Sequence, residues 1–360
     1  MRACVMREGG LVVDTVPDPV PGPGEVLVRT LACGICGSDL HFLRHASHLV
    51  DVQKRSGYPG AMSLERDVVL GHEFCAEIVD YGPRTERRLP AGTRVCSMPI
   101  VFGKRGGIEA VGYSNDYPGG YGELMVLSEP LLLRVPDEVP TEQAALTEPM
   151  AVGIHAVEKA RLEKGEQPLV LGCGPVGLAV VAALRAKGVG PIVAADFSPA
   201  RRELAEKLGA DVVLDPGVDS PYRAWEELAS AATRAEDPAP VTIHAGPSRR
   251  AVIFECVGIP GILQEIFERA PRYAKIVVVG VCMGEDRIEP LFGINKELEV
   301  RFVLGYTPDE FRQSLENIAR GRTPVSALVT GKVGVAETPR AFRELEKPQK
   351  HAKILVEPWH

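Results

Sequence analysis

Three residues that could bind a metal occur in unusual local settings in this 360-residue chain. Cys36 lies in ACGICGSD, a glycine-flanked turn at the end of a strand-like run, while His72 lies in LGHEF and Glu148 in LTEPM. A thiolate, an imidazole and a carboxylate are suitable zinc ligands, and three of them leave a fourth position for water or substrate. Scattered Cys, His and Glu occur in every chain of this size, so these residues indicate a zinc site only together with other evidence.

A second group of residues indicates a dinucleotide site. Gly172, Gly174 and Gly177 form the G-x-G-x-x-G pattern in GCGPVG, after the apolar run PLVL and before a helix-like segment. Such glycines allow a tight turn, close approach of the backbone to a pyrophosphate, and close helix packing. Asp196 lies 19 residues past Gly177, where a carboxylate binds ribose hydroxyls and repels a 2′-phosphate. The pattern predicts NAD rather than NADP; a glycine-rich turn that binds another nucleotide or S-adenosylmethionine is the alternative.

Two regions of the chain with different sequence patterns must position these residues. Residues 1–149 contain short apolar runs separated by Pro and Gly, which predict a β-rich unit of barrel or sandwich type. In residues 150–303 strand-length and helix-length segments alternate, which predicts a doubly wound parallel sheet of the α/β class. Residues 304–360 contain Thr307-Pro308-Asp309-Glu310, whose capping-box spacing predicts a helix through Ala319 before a final strand in KILVEP.

Composition excludes several classes of protein. The chain has 41 Lys and Arg against 48 Asp and Glu, a net charge of −7, and no basic stripe, so we expect no nucleic-acid partner. It contains no apolar run of about 18 residues, so we expect no membrane span. Eight cysteines are too few for a disulfide scaffold, and no signal peptide is recognised at the N-terminus. We therefore expect a reduced, cytoplasmic protein that acts on a small molecule.

The motifs GICGSD, GHE, EPMAVGIHA and GCGPVG, followed by Asp196, occur in an order that resembles the zinc-containing medium-chain alcohol dehydrogenases. The resemblance is greatest to their sorbitol dehydrogenase-like and threonine dehydrogenase-like branch. It implies a GroES-like catalytic domain, a Rossmann domain, and a C-terminal return to the catalytic domain. It also implies a homodimer or homotetramer that transfers a hydride between NAD(H) and a primary or secondary alcohol or polyol.

The resemblance assigns roles around one catalytic zinc ion. Cys36 and His72 match zinc ligands, and either Glu148 or Glu73 matches the third. Asp39 matches a carboxylate that orients the zinc-bound histidine, the usual partner of a metal-bound imidazole. Many relatives also carry a structural zinc held by four cysteines, but residues 85–130 contain only Cys96, so we expect no structural zinc.

Further roles concern proton transfer and the cofactor. Ser38 and His41 match a proton relay that passes through the nicotinamide ribose hydroxyls to solvent. Arg201 and Lys353 match residues that contact the NAD ribose and pyrophosphate, and Val176 matches a residue behind the nicotinamide ring. These assignments follow from the resemblance and not from spacing.

Two alternatives and one departure qualify this interpretation. A zinc-free reductase of the same fold, acting on quinones or activated double bonds, would lack Cys36 and His72. A non-catalytic NAD-responsive protein would have no need for Ser38 and His41 beside them. The departure is the spacer between Cys36 and His72, 36 positions apart, in which residues 41–67 are predicted to form a helix and loop at the mouth of the substrate cleft.

Overall fold

The chain forms two compact units in the computed structural model. The structure describes residues 1–57, 62–103, 107–233, 250–347 and 349–360. One unit comprises Met1–Glu148 and Phe311–His360, and the other comprises Pro149–Glu310. The boundaries suggested by the sequence, after residues 149 and 303, remain predictions. Among the described residues, no helix combines the length and the apolar character that crossing a bilayer requires.

The N-terminal part of the first unit is rich in short strands. Its strands are β1 (Arg2–Arg7), β2 (Gly10–Thr15), β3 (Glu25–Gly34), β4 (Glu73–Tyr81), β5 (Arg94–Ser97), β6 (Ile100–Phe102), β7 (Ile108–Ala110), β8 (Leu124–Ser128) and β9 (Leu132–Arg134). Its helices are α1 (Gly37–Arg55), α2 (Thr141–Ala144) and α3 (Thr147–Ala160), which continues into the second unit. Phe42, Ala46 and Val50 recur at every fourth position of α1 and are buried, which confirms the helix predicted in the long spacer. The rest of the spacer includes residues 58–61, which lie outside the described residues.

The second unit is a doubly wound sheet. Its elements are β10 (Gln167–Leu171), α4 (Pro175–Ala186), β11 (Val193–Ala195), α5 (Pro199–Lys207), β12 (Val212–Leu214), α6 (Pro221–Thr233), β13 (Ala251–Glu255), α7 (Ile262–Arg269), β14 (Lys275–Val278), α8 (Pro290–Lys296) and β15 (Glu299–Phe302). The next helix, α9 (Pro308–Ala319), begins in this unit and belongs to the first unit from Phe311 onward. The strands are parallel in the order β12-β11-β10-β13-β14-β15, the order of a dinucleotide-binding fold. The predicted α/β class is therefore confirmed.

Local sequence explains why the strands and helices of the second unit form where they do. All residues of β10, β13 and β14 are buried, as expected for strands covered on both faces. Trp225 is fully buried in the core between helices and sheet, where its indole donates to the Gln167 carbonyl at 3.0 Å. At the start of α9, Thr307 and Glu310 exchange side-chain and backbone hydrogen bonds, which confirms the predicted capping box.

The C-terminal segment completes the sheet of the first unit. Its elements are β16 (Val329–Val333), α10 (Thr338–Leu345) and β17 (Lys353–Val356). The sheet has the order β16-β17-β3-β4-β5-β9, with β8 also paired to β3. Gly34, the last residue of β3, lies opposite both Glu73 in β4 and Leu355 in β17. The segment after β3, the segment before β4, and β17 therefore meet at one end of this sheet.

Candidate metal centre and dinucleotide site

The ends of β3 and β4 bring three potential metal ligands together. Cys36 Sγ, a ring nitrogen of His72 and a carboxylate oxygen of Glu73 lie within 4.8 Å of one another. Across the described ranges, no other group of three His, Cys, Asp or Glu side chains meets this distance. A soft thiolate, an imidazole and a buried carboxylate form a donor set that suits zinc. The residues present therefore fit a zinc ion.

Gly71 gives the backbone the conformation that places His72 at this site. Its φ of +103° lies in the left-handed region, which residues with a Cβ rarely adopt. A Cβ at this position would lie 2.8 Å from Cδ1 of Tyr121 and 2.9 Å from Sγ of Cys33. A larger residue would therefore displace the backbone immediately before His72.

Asp39 supports the imidazole of His72 from behind. Its carboxylate is fully buried in the first turn of α1, and Oδ1 lies 3.5 Å from Nδ1 of His72. Oδ2 accepts a hydrogen bond from the Tyr121 hydroxyl at 2.6 Å, and Oδ1 accepts one from the Tyr113 hydroxyl at 2.8 Å. Burial raises the pKa of Asp39, but His72 and the two hydroxyls outweigh it and hold that pKa below its ordinary value. The carboxylate therefore remains ionised and leaves Nε2 of His72 for a metal.

A buried ion pair holds Glu73. Lys353 Nζ lies 2.7 and 2.6 Å from the two carboxylate oxygens of Glu73 and donates to the Ile35 carbonyl at 3.0 Å. Lys353 and Glu73 are only 2% and 1% exposed. Lys353 was predicted to contact NAD; its ammonium is held by Glu73 within the first unit, and its contact with NAD remains a prediction. Glu148, at the start of α3, is buried and lies outside the group of three ligands.

The two residues of the predicted proton relay lie on α1. Ser38 is in the first turn, and its Oγ lies 3.0 Å from the Tyr113 hydroxyl. His41 follows at i+3, so the two side chains lie on neighbouring positions of one helix face. Burial lowers the pKa of His41, and nearby His45 and Arg44 lower it further. Neutral imidazole therefore predominates at neutral pH and can accept a proton.

The glycine-rich loop of the second unit lies between β10 and α4. Gly172 has a φ of +88°, and a Cβ on Gly177 would lie 1.8 Å from the Gly172 carbonyl oxygen. Only glycine permits this close packing of loop and helix. Gly174 is the N-cap of α4, and Val176 lies in its first turn, where free backbone N–H groups favour phosphate.

Asp196 follows β11 at the edge of this loop. Its Oδ2 accepts the backbone N–H of Cys173 at 2.8 Å, and its Oδ1 accepts that of Ser198 at 2.7 Å. Arg201 Nη1 lies 3.8 Å from Asp196 Oδ2. The carboxylate is thus fixed against the phosphate-binding loop, with a guanidinium beside it.

Three features of the site were missed by reasoning from sequence. Tyr113 and Tyr121 both donate to Asp39, yet the segment GYSNDYPGGYG has no pattern that identifies them as partners of α1. The pairing of Glu73 with Lys353 was also missed, since it depends on the insertion of β17 beside β3. A charged residue in the apolar strand KILV was the one available signal.

Comparisons with known proteins agree with this geometry. The family model described as "Alcohol dehydrogenase GroES-like domain" matches residues 22–137, and the one described as "Zinc-binding dehydrogenase" matches residues 175–320. The (R,R)-butanediol dehydrogenase of Bacillus subtilis is 32% identical over 355 residues, 96% of each chain. A sorbitol dehydrogenase of Bacillus subtilis is 29% identical over 99% of this chain and 97% of its own. The crystal structure of 2R,3R-butanediol dehydrogenase from Bacillus subtilis has a TM-score of 0.77 at 29% identity and covers 99% of both chains.

The chain belongs to the zinc-containing medium-chain alcohol dehydrogenases, in their sorbitol dehydrogenase-like branch. Its β-rich unit is GroES-like and its second unit is a Rossmann domain. The protein is accordingly a zinc-dependent, NAD-linked alcohol oxidoreductase, as the sequence predicted.

Proposed function

We propose that this enzyme oxidises a secondary hydroxyl group of a small diol or polyol and reduces the corresponding ketone in reverse. The observation that carries the proposal is the cluster of Cys36, His72 and Glu73, with Ser38 two residues from the thiolate. The relatives that cover almost the whole chain are named for butanediol and sorbitol, both of which carry neighbouring hydroxyl groups. That shared chemistry supports the diol and polyol class.

We propose Cys36, His72 and Glu73 as the residues that hold zinc. When bound, zinc supplies Lewis acidity that lowers the pKa of a substrate alcohol, and NAD supplies the hydride acceptor. Asp39 fixes the ring orientation of His72, while Lys353 fixes the carboxylate of Glu73.

Proton transfer is proposed for the start of α1. Ser38 Oγ accepts the proton that the substrate hydroxyl loses and releases its own hydroxyl proton toward His41, one turn further along the helix, which passes a proton to solvent. His41 is suited to this role because its lowered pKa keeps the imidazole neutral before the proton arrives.

The cofactor preference is proposed to be NAD over NADP. The main support is Asp196, which is held against the loop by the N–H groups of Cys173 and Ser198. Gly172, Gly174 and Gly177 shape the loop for a pyrophosphate. We assign Val176, Arg201 and Lys353 to cofactor contacts on the family resemblance.

The test combines metal analysis with activity. Protein purified without chelators is analysed for zinc per chain, and NADH formation is then measured with butanediol stereoisomers, sorbitol, xylitol and simple primary alcohols. We expect about one zinc per chain and the highest kcat/KM for a diol or polyol. Cys36→Ala should lose zinc and turnover but keep its affinity for NAD within a few-fold. Full turnover by zinc-free Cys36→Ala, or a preference for simple primary alcohols, would refute the proposal.

A homodimer is proposed for the assembly, through the open edge of the parallel sheet. Within the described ranges, no strand pairs with the outer side of β15. Phe302 and Leu304 at this edge are 71% and 89% exposed, and Ile294 of α8 is 69% exposed. An uncovered apolar edge strand favours pairing with another copy about a two-fold axis. Sedimentation should show a dimer, and Phe302→Glu should shift it toward monomer without loss of zinc.

We also propose a cytoplasmic location. All eight cysteines are described and none forms a disulfide, as expected in a reducing compartment. Detection of the protein in an oxidising compartment by cell fractionation would contradict this proposal.

A further inference from the structure

Tyr113 contacts three parts of the candidate site. Its hydroxyl lies 3.0 Å from Oγ of Ser38 and donates to Oδ1 of Asp39 at 2.8 Å. Its ring packs edge-on against Phe42 at 5.2 Å between centroids and lies 5.4 Å from the ring of His72. One phenol therefore contacts the proton relay, the carboxylate behind the imidazole, and the imidazole itself.

The direction of these hydrogen bonds follows from proton counting. A phenol has one proton, and the geometry has Tyr113 donate it to Oδ1 of Asp39 at 2.8 Å. Because the proton of Tyr113 is donated to Asp39, the phenol oxygen can only accept from Ser38. The Ser38 proton must then point toward Tyr113. A lone pair of Oγ is left to accept a hydrogen bond from a substrate hydroxyl, and the Ser38 proton leaves Tyr113 for His41 when the substrate proton is transferred.

The backbone holds Tyr113 firmly enough for this purpose. Asn115, two residues later, accepts the N–H of Ser63 at 2.7 Å and donates to the Ser63 carbonyl at 2.9 Å. Gly119 then donates to the carbonyl of Val69 at 2.8 Å, three residues before His72. The segment 111–121 is therefore fastened to the chain that leads into the metal centre.

We propose that Tyr113 is a positioning residue that holds the Ser38 hydroxyl as a proton acceptor and, through Asp39, steadies the metal-binding imidazole. The part that concerns Ser38 rests on the proposed function. The part that concerns Asp39 depends only on metal binding by Cys36 and His72. The residue comes from the stretch 85–130, where Cys96 is the sole cysteine.

Three matched variants separate these roles. Tyr113→Phe removes the contact to both Ser38 and Asp39. Tyr121→Phe removes a bond to Asp39 and a weaker one to the Gly34 carbonyl, but no contact to Ser38. Tyr117→Phe is the control, because its hydroxyl is in the same segment but donates to Glu25, away from the metal ligands. Each variant loses one hydroxyl and keeps its ring.

The first readout is zinc release into excess chromogenic chelator, which requires no turnover. Loss of a partner behind a metal ligand typically weakens metal binding by about 10–100-fold. We expect Tyr113→Phe and Tyr121→Phe to release zinc about tenfold faster than the unmodified enzyme, and Tyr117→Phe to stay within twofold. Equal release by Tyr113→Phe and the unmodified enzyme would overturn the link to Asp39.

The second readout is turnover at saturating zinc and NAD. Positioned proton acceptors contribute about 10²–10⁴ to rates, so partial loss of orientation should cost about tenfold in kcat. We expect this loss for Tyr113→Phe, with KM within twofold and a larger solvent deuterium isotope effect, and less than a threefold loss for Tyr121→Phe. In a Ser38→Ala background, Tyr113→Phe should cause less than a threefold further loss, the part that acts through Asp39.

The outcomes separate this inference from the proposed function. If Tyr113→Phe and Tyr117→Phe change kcat equally, or if Tyr113→Phe has its full effect without Ser38, the positioning role is wrong. If the unmodified enzyme oxidises no diol or polyol, the proposed function fails, and zinc release still decides the link between Tyr113 and Asp39.

Discussion

Replacing Lys353 by methionine tests whether the buried ion pair holds the first unit together. Methionine has a similar length but carries no charge, so the carboxylate of Glu73 would remain buried without its ammonium. The two groups are 2.6 Å apart and 2% and 1% exposed, so little solvent can replace the lost partner. Breaking such a pair on one side costs about 3–5 kcal/mol.

The assay is amide hydrogen exchange of the metal-free protein, resolved by segment. A loss of about 3–5 kcal/mol corresponds to exchange faster by about two to four orders of magnitude, at about 1.4 kcal/mol per tenfold. We expect this acceleration in β3 and β17, which form one sheet with β4. The strand β10 belongs to the second unit and is the internal control.

A second variant shows whether the cost comes from the uncompensated charge. Glu73→Gln combined with Lys353→Met removes both charges and should recover most of the lost protection, because replacing both partners is often close to neutral. Added zinc should also slow exchange in Lys353→Met, since a cation can compensate the charge of Glu73. Exchange in β3 within threefold of the unmodified protein, or no recovery in the double variant, would refute this reasoning.

Three further predictions concern the loop, the metal centre and the helix cap. Asp196→Asn should improve NADP binding relative to NAD about tenfold or more, because the carboxylate and the 2′-phosphate of NADP repel each other by a few kcal/mol near a protein surface. Fluorescence titration with both cofactors gives the ratio of the two affinities, and an unchanged ratio would contradict this prediction. Gly71→Ala should destabilise the first unit by about 2–5 kcal/mol through strain and overlap, whereas Gly92→Ala, with a positive φ but open space, should cost about 1–3 kcal/mol in urea unfolding. Equal losses at the two glycines would show that overlap contributes nothing. Burial raises the pKa of Glu310, but the Thr307 N–H and His155 outweigh it and hold this pKa below its usual value. The ionised carboxylate therefore stabilises the fold above about pH 4.5, and this stabilisation is lost as the pH falls through the lowered pKa. The loss of Tm caused by Glu310→Gln should therefore be present at pH 7 and shrink as the pH is lowered below about 4.5, and a loss that stays constant over this range would contradict the sign.

Local signals in the sequence were sufficient for the second unit. The glycine loop, the apolar strands and the capping box at Thr307 each depend on residues close together in the chain. The structure places Gly172 at a positive φ after β10 and Asp196 immediately after β11, as expected for a doubly wound sheet. Short-range patterns determine such βαβ units because most strands pair with the next strand in the chain, and only the step from β12 to β13 crosses the sheet.

The metal centre was harder to predict, because its contacts join distant segments. Cys36 and His72 were identified by motif, but the choice between Glu73 and Glu148 depended on strand pairing that no periodicity reveals. The antiparallel register that places Gly34 opposite Glu73 brings Glu73, and not Glu148, into the group of three. Tyr113 was missed for the same reason, since its partners on α1 lie more than 70 positions earlier.

The late position of Lys353 has a consequence for the order of events during protein synthesis. Glu73 and Lys353 are 280 residues apart in the chain. At about 5–20 residues per second, a ribosome needs about 14–56 s to add the second after the first. During that interval the Rossmann unit, Pro149–Glu310, is synthesised in full, whereas β3 still lacks its neighbour β17. The nascent chain therefore has a complete cofactor-binding half before its metal-binding half can close, so final assembly of the metal centre follows translation of the C-terminal strand.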